Sequence, residues 1–439
     1  MEAIYNRAMR FLIRQMHSHV PERLHRFTKA SFWSLLSSVF GSCGTFLMYM
    51  LVARTIGRND YGTFVLAQST LGTAGILAAM GMGMAASKYA SELRVKDPFR
   101  LGRILALCAM VILGLGLALS SSVALFSGQI AHRLLGNPQV AQVLMYSSAS
   151  VLFSSMDGYA KGILLGFEEN QKFAAANITG AAISLPVLAG LAYFHGLEGA
   201  AVGLSVIALV QAVISILLLT HALGQHNIPL QLKGCLAEAD LIGHTAFPVL
   251  ASSVLFTPVH LVAQSMLSKG ATSLKDVAYF GIGQQWIALM LFVPSALSRI
   301  AGPILINQIS DADHQRARET FWHSILVNLG VCVPLAGVLF FMSGFLMTLY
   351  GNGYLEGAST LSLGFIVAVL MAVQAPVANL VAALSRFWTG FAMNACWAAA
   401  YLGFSWLWAP HGSIGVMSAL LVSYVLHSLW SFLFVKWHL

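Results

Sequence analysis

Charge is scarce in this chain. Only 9% of its 439 residues are Asp, Glu, Lys or Arg, where a soluble domain carries roughly a quarter. A surface so poor in charge argues against a water-exposed module. Cysteine is also sparse: Cys43, Cys108, Cys235, Cys332 and Cys396 are scattered, mostly inside apolar stretches, with no CxxC spacing. That pattern argues against a disulfide framework or a thiolate metal site and reads as small buried hydrophobes. Long polar loops are missing too. No connection gathers a nucleophile, a base and an acid, or a metal set, so a membrane-embedded polymerase or ligase is disfavoured and no enzyme activity, metal or cofactor is expected. No glycine-rich strand-to-helix phosphate loop appears, so ATP hydrolysis is not expected either. The first 29 residues are basic and interrupted by Pro21, without the apolar core of a cleavable signal peptide.

Apolar residues fill the space that charge leaves. They make up 58% of the chain, and the mean hydropathy is +0.76. A helix needs about 20 apolar residues to cross the hydrocarbon, and backbone groups in lipid must bond within their own segment. The pattern predicts an all-α integral membrane protein of about 12 helices. The first six predicted spans are 30–53, 63–86, 102–126, 140–166, 173–194 and 198–221; the next six are 243–268, 277–303, 318–343, 358–384, 388–408 and 413–435. They leave a basic N-terminal segment (1–29), a first lobe (30–222), a linker (223–242) and a second lobe (243–439).

The net charge of +8 would suggest nucleic acid for a soluble chain, but its distribution suggests topology instead. With both termini in the cytoplasm, nineteen lysines and arginines fall on that side and only Arg54, Arg58, Arg133, Lys269 and Lys275 on the other. This is a positive-inside bias, and no nucleic-acid partner is expected. Arg7, Arg10 and Arg14 share one helical face, with Ile4, Ala8 and Phe11 around another. They fit a helix lying on an anionic leaflet, or serve only as a topology signal.

The two halves share punctuation. Asp60-Tyr-Gly-Thr-Phe64 with Gln68 is matched by Asp276-Val-Ala-Tyr-Phe280 with Gln284, 216 residues on. Gly136-Asn137 is matched by Gly351-Asn352 at 215, and His195-Gly196 by His411-Gly412 at 216. Three pairs in order at nearly constant spacing indicate a tandem repeat. Six helices per repeat make the repeats parallel, so two lobes are expected around a central cavity that opens to one face at a time.

Several stretches resemble the bacterial polysaccharide, or O-antigen, flippases of the Wzx type. They are Arg54-Thr-Ile-Gly57-Arg-Asn-Asp60-Tyr61-Gly62-Thr-Phe64, Gly81-Met-Gly83 with Lys88-Tyr89, and Leu165-Gly166-Phe167. Gly196-Leu197-Glu198-Gly199, Leu349-Tyr350-Gly351, Asn379 with Ser385-Arg386, and Gly412-Ser-Ile-Gly415 extend the likeness over nearly the whole chain. The superfamily also holds peptidoglycan-precursor flippases and multidrug and toxin extruders. The resemblance implies an inner-membrane transporter for surface polysaccharide such as the O-antigen of lipopolysaccharide. Its substrate would be an oligosaccharide on a polyprenyl pyrophosphate, moved from the cytoplasmic to the periplasmic leaflet. By association it suggests a polysaccharide polymerase and a chain-length regulator as partners.

Such a substrate needs cations for its pyrophosphate and amides for its sugar. Asp157 and Lys161 stand at i, i+4 in the fourth span, where each shields the other's charge. Lys161 reads as a pyrophosphate contact and Asp157 as its partner or an ion-coupling carboxylate; a purely structural pair is the alternative. Lys88 and Arg299, near the cytoplasmic ends of spans two and eight, either capture the headgroup or anchor the helices by snorkelling. Arg54, on the side with few cations, either meets the headgroup on release or binds turn carbonyls. Gln68 and Gln284 are matched candidates for sugar binding, with interhelical hydrogen bonds as the alternative. Asn177, Gln211 and Gln264 are further intramembrane amides, and His260 either titrates near neutral pH or is a satisfied buried histidine. Prolines concentrate in the second half, at Pro248, Pro258, Pro294, Pro303 and Pro334, which predicts bent helices seven and eight that act as a gate.

The main rival is a cation-coupled multidrug extruder, which would favour carboxylates in the early spans; span one has none. A peptidoglycan-precursor flippase ranks lower, because the resemblance implies two further C-terminal helices there.

Overall fold

The computed structural model of the chain describes residues 22–240, 255–269 and 274–439, by backbone alone as far as residue 38. The basic face of Arg7, Arg10 and Arg14, Pro248 and the start of the seventh predicted span lie outside the described residues. Among the described residues the chain is helical, without strands.

The first half is built from α1 (Glu22–Ile56), α2 (Arg58–Ala79), α3 (Met82–Leu93), α4 (Pro98–Leu125), α5 (Val140–Ser147), α6 (Ala149–Gly166) and α7 (Asn170–Gln225). The second half follows with α8 (Phe256–Lys269), α9 (Leu274–Met290), α10 (Phe292–Ser310), α11 (His314–Phe341), α12 (Ala358–Ala383), α13 (Phe387–Trp408) and α14 (Gly412–His438). Among the described residues, seven runs are long and apolar enough to cross a membrane, and α9 with α10 form an eighth if counted as one bent span. Two of the seven, Asn170–Gln225 with 56 residues and Phe387–His438 with 52, have the length to cross twice.

The local chemistry explains where these runs turn. Inside α7, Gly196 leaves helical geometry at φ 59° and ψ −137°. Beyond it the chain doubles back: Gln211 Nε2 donates to Ser184 Oγ at 3.0 Å, although a straight helix would hold them about 40 Å apart. Gly412, its partner in the repeat, has φ 72° and starts α14. There the Asp276 carboxylate accepts from the Ser413 backbone N–H at 2.9 Å, so two of the repeat's landmarks meet and cap one helix. Both turns need a left-handed residue, which glycine adopts without strain.

Two predicted spans are broken rather than continuous. The second divides between α2 and α3, where Met80 and Gly81 are both left-handed (φ 45° and 71°). The fourth has only an irregular turn at Ser148, whose backbone stays helical at φ −57° and ψ −37°. The eighth bends by 42° between α9 and α10, as its proline content predicts. The Pro294 ring crowds the carbonyl four residues before it, which places the bend at Leu291.

The packing is unequal along the molecule. At the end carrying the glycine turns, one hydrophobic core runs through both halves, from Val52, Tyr61 and Phe64 to Phe280, Tyr350 and Phe365. At the basic end the halves have separate cores: Met82, Leu101, Ile163 and Leu164 in the first, Leu305, Ala317, Phe321 and Leu380 in the second. The lobes are therefore joined at one end and parted at the other.

Candidate substrate cavity between the lobes

The parted end leaves a cleft of two adjoining chambers. One, of about 500 Å³, is lined by Phe46 and Tyr49 of α1, Gln68 and Ser69 of α2, Gln264 of α8, and Gln284 and Gln285 of α9. The other, of about 440 Å³, is lined by Lys161 of α6, Asn177 and Gln211 of α7, and Ser295 and Arg299 of α10. Gly41, Ser42, Thr45 and Ala288 border both, so the chambers are continuous. Both volumes fall within the range of about 300–1,000 Å³ usual for ligand sites.

The second chamber holds the charge. Lys161 Nζ lies 2.7 Å from Asp157 Oδ2, and Ser215 donates to the other carboxylate oxygen at 2.5 Å. Asp157 thus has both oxygens engaged, and Lys161 is held by α6 and pointed at the cleft. Arg299 faces the same space from the opposite lobe, exposed and without an ion-pair partner among the described residues. The Lys161 charge is offset by Asp157, which leaves Arg299 as a net positive charge facing the chamber.

The first chamber holds amides. Gln68 and Gln284, matched in the repeat, face it from opposite lobes. Gln284 is fixed by two contacts, with Gln264 Nε2 at 3.2 Å and with His260 Nδ1 at 2.6 Å. Gln285 Nε2 donates to the Tyr61 hydroxyl at 2.5 Å across the lobes. Glycines let the helix backbones approach: a Cβ on Gly44 would sit 3.0 Å from Ala181 of α7.

Four of the sequence candidates, Lys161, Arg299, Gln68 and Gln284, therefore line one cleft, with Asp157 directly behind Lys161. Lys88 and Arg54 line neither chamber. Lys88 is exposed on α3, with its ammonium 5.4 Å from the Tyr89 ring. Arg54 is exposed in the last turn of α1, at the joined end.

Sequence reasoning missed a cluster at that joined end. Arg58 of α2 donates to the Gly353 carbonyl at 2.9 Å and pairs with Glu356 at 3.2 Å, while Lys275 pairs with the same carboxylate at 2.8 Å. The Tyr279 hydroxyl donates to Gly353 at 3.0 Å, and the Tyr354 hydroxyl to Ala53 of α1 at 2.8 Å. Ser268 also donates to the Leu135 carbonyl from the opposite lobe. Arg58 and Lys275 belong to the few off-side cations, but nothing local to them names Glu356 as their partner.

Residues 27–296 match the family model described as polysaccharide biosynthesis protein. An EPS I polysaccharide export inner membrane protein, EpsE, of Ralstonia solanacearum is 24% identical over 394 residues, covering 88% of each chain. The EpsE of Ralstonia nicotianae is 23% identical, covering 87% of this chain and 86% of that one. Among solved structures, an inward-facing multidrug resistance MATE family transporter of the MOP superfamily superposes with a TM-score of 0.74 at 13% identity, covering 92% of this chain and 98% of that one. The lipid II flippase MurJ, in an inward closed conformation, gives 0.72 at 15% identity, covering 93% and 87%. These two likenesses concern the fold.

Proposed function

This chain belongs to the polysaccharide biosynthesis protein family, and from that premise we propose that it is a flippase for a polyprenyl-pyrophosphate-linked oligosaccharide. The observation that carries the reading is the division of the cleft. A chamber with Lys161 and with Arg299, which has no ion-pair partner among the described residues, suits a pyrophosphate, and the adjoining chamber of glutamines and hydroxyls suits a sugar. The prenyl chain remains in the bilayer while the polar headgroup occupies the seam between the lobes.

The named function of the EpsE relatives, polysaccharide export at the inner membrane, supports this substrate class and location. The positive-inside distribution supports cytoplasmic termini, so the basic, parted end faces the cytoplasm. The cleft is then open to the leaflet where the substrate is made, and Arg58, Glu356 and Tyr354 close the periplasmic side. Alternating access follows if the lobes rock about the cavity, with the α9–α10 bend on the moving side. Asp157 orients Lys161 and limits its charge. Gln68 and Gln284 bind sugar hydroxyls. Lys88 acts at the cytoplasmic surface and Arg54 at the periplasmic one, outside the cleft. A chain with this role transports rather than catalyses; a polysaccharide polymerase and a chain-length regulator would act on the product.

Proteoliposomes carrying a fluorescent prenyl-pyrophosphate oligosaccharide test the reading. Lys161→Ala and Arg299→Ala are each expected to lower flipping by about tenfold or more at normal protein levels, the loss of one charge-assisted contact. Cells expressing the protein should extrude cationic dyes no faster than controls. Wild-type flipping in Arg299→Ala would overturn the role given to that side chain, whereas no flipping by the wild type together with dye extrusion that depends on Arg299 would overturn the flippase reading in favour of a drug extruder.

A further inference from the structure

Charge is confined to one chamber of the cleft. Lys161 and Arg299 border the second chamber, whereas the described residues that line the first include no Asp, Glu, Lys, Arg or His. Residues 241–254 and 270–273, outside the described residues, contain no Asp, Glu, Lys or Arg in their sequence either. His260 is buried and meets Gln284 at 2.6 Å, but it does not line the chamber.

Two helices build these neutral walls. On α1, Ser42, Thr45, Phe46 and Tyr49 recur at the i, i+3, i+4, i+7 spacing of one helical face. On α9 of the other lobe, Gly281, Gln284, Gln285 and Ala288 recur at the same spacing. The first wall offers two hydroxyls and two rings, with Phe46 braced edge-on by Trp286 at 4.8 Å. The second offers amides that the protein already engages, Gln284 with Gln264 and His260, and Gln285 with the Tyr61 hydroxyl. Whichever way each amide is turned, every such bond uses one donor. The positions that remain are single and uncharged. They match hydroxyls, each of which donates and accepts. A carboxylate needs a cation or several converging donors, and no described residue brings a cation to this chamber.

The border between the chambers sets which part of a substrate meets these walls. Gly41, Ser42, Thr45 and Ala288 line both, so a pyrophosphate beside Lys161 and Arg299 places the sugar bonded to it in the first chamber. A pyrophosphate diester carries a negative charge on each phosphate. In return the second chamber supplies Arg299 and a Lys161 already offset by Asp157 at 2.7 Å. No cation there is left over for the sugar. When the lobes close and water leaves, a carboxylate in the first chamber would be buried without a counter-charge.

We propose that the cleft selects by charge at the sugar joined to the pyrophosphate, accepting a neutral pyranose there and rejecting a uronic acid. This selectivity rests on the flippase reading and names the substrate class within it. The α1 and α9 stripes are its specificity-determining residues.

Three prenyl-pyrophosphate disaccharides, with the same fluorophore on the prenyl chain, test it in proteoliposomes of the full-length protein. They differ only at the exocyclic carbon of the first sugar, which is a hydroxymethyl group, a carboxylate or the methyl ester of that carboxylate. The hexose and the ester should cross at similar rates, and the uronate about tenfold more slowly or worse. Gln68→Lys, which brings a cation to the first chamber, should raise the uronate-to-hexose ratio by about fivefold or more. Gln68→Met, of similar length and uncharged, should leave that ratio as in the wild type. Equal transfer of hexose and uronate overturns the selectivity and leaves the flippase reading in place. An ester as slow as the uronate overturns it too, because size rather than charge then decides. An unchanged ratio in Gln68→Lys overturns the assignment to the first chamber. Transfer of none of the three by monodisperse protein removes the flippase reading, and the selectivity with it.

Discussion

Asp157 and Lys161 illustrate how two charges persist in a chain so poor in them. Their side chains are only 13% and 17% exposed, so each relies on the other, and Asp157 also relies on Ser215. Removing one partner strands the other; removing both does not. Asp157→Ala is therefore expected to destabilise the protein by about 1–3 kcal/mol, while Asp157→Ala with Lys161→Ala recovers part of that loss. Thermal unfolding of the detergent-solubilised variants, followed by size-exclusion, checks the order. The sequence brought these two residues forward because charge inside an apolar span is conspicuous. It did not supply Ser215, an ordinary serine until α7 folds back toward α6.

The helices owe their ends to a few backbone positions. At Gly412 a Cβ would lie 2.6 Å from Asp276 Oδ1 on a backbone of φ 72°, so Gly412→Ala meets both strain and a displaced helix cap. A cost of about 2 kcal/mol is expected from the left-handed strain and the lost cap together. Gly330, inside α11 with nothing within 4 Å of its Cβ position, is the contrast: Gly330→Ala should be neutral or stabilising by up to about 1 kcal/mol. Chemical denaturation in mixed micelles separates the two. Gly196 and Gly412 were visible beforehand as repeat punctuation. The break at Met80 was not, because a methionine in left-handed geometry carries no signature of its own.

On the proposed alternating-access reading, two lobes joined at one end act as a lever fastened by the Arg58, Lys275 and Glu356 cluster. All three groups are partly exposed, so each ion pair contributes little on its own. Their value lies in position, spanning the lobes where a shared core already holds them together. Glu356→Gln should loosen this closure and raise the reactivity of a cysteine introduced by Gln68→Cys toward a membrane-impermeant periplasmic reagent by severalfold. Arg58→Cys combined with Glu356→Cys should crosslink readily in a background without the native cysteines and stop transport until reduced. Unchanged labelling in Glu356→Gln, together with undiminished transport in the crosslinked protein, would show that the cluster does not hold the lobes.

What the sequence alone determined is the class of object. Scarce charge, long apolar runs and the requirement that lipid-buried backbone bond within its own segment leave a helical membrane protein, and matched landmarks at a near-constant spacing reveal its repeat. Those properties are local or periodic, so they can be read along the chain. The tertiary structure decided which polar residues face each other. Lys161 and Arg299 are 138 residues apart, and Gln68 and Gln284 are 216 apart, yet each pair borders one cleft. Helical periodicity marks the face a residue occupies but not the helix opposite. Only the packing of two lobes, tight at the glycine turns and open at the basic end, separates Lys161 and Arg299 from Lys88 and Arg54, which the sequence could not distinguish from them.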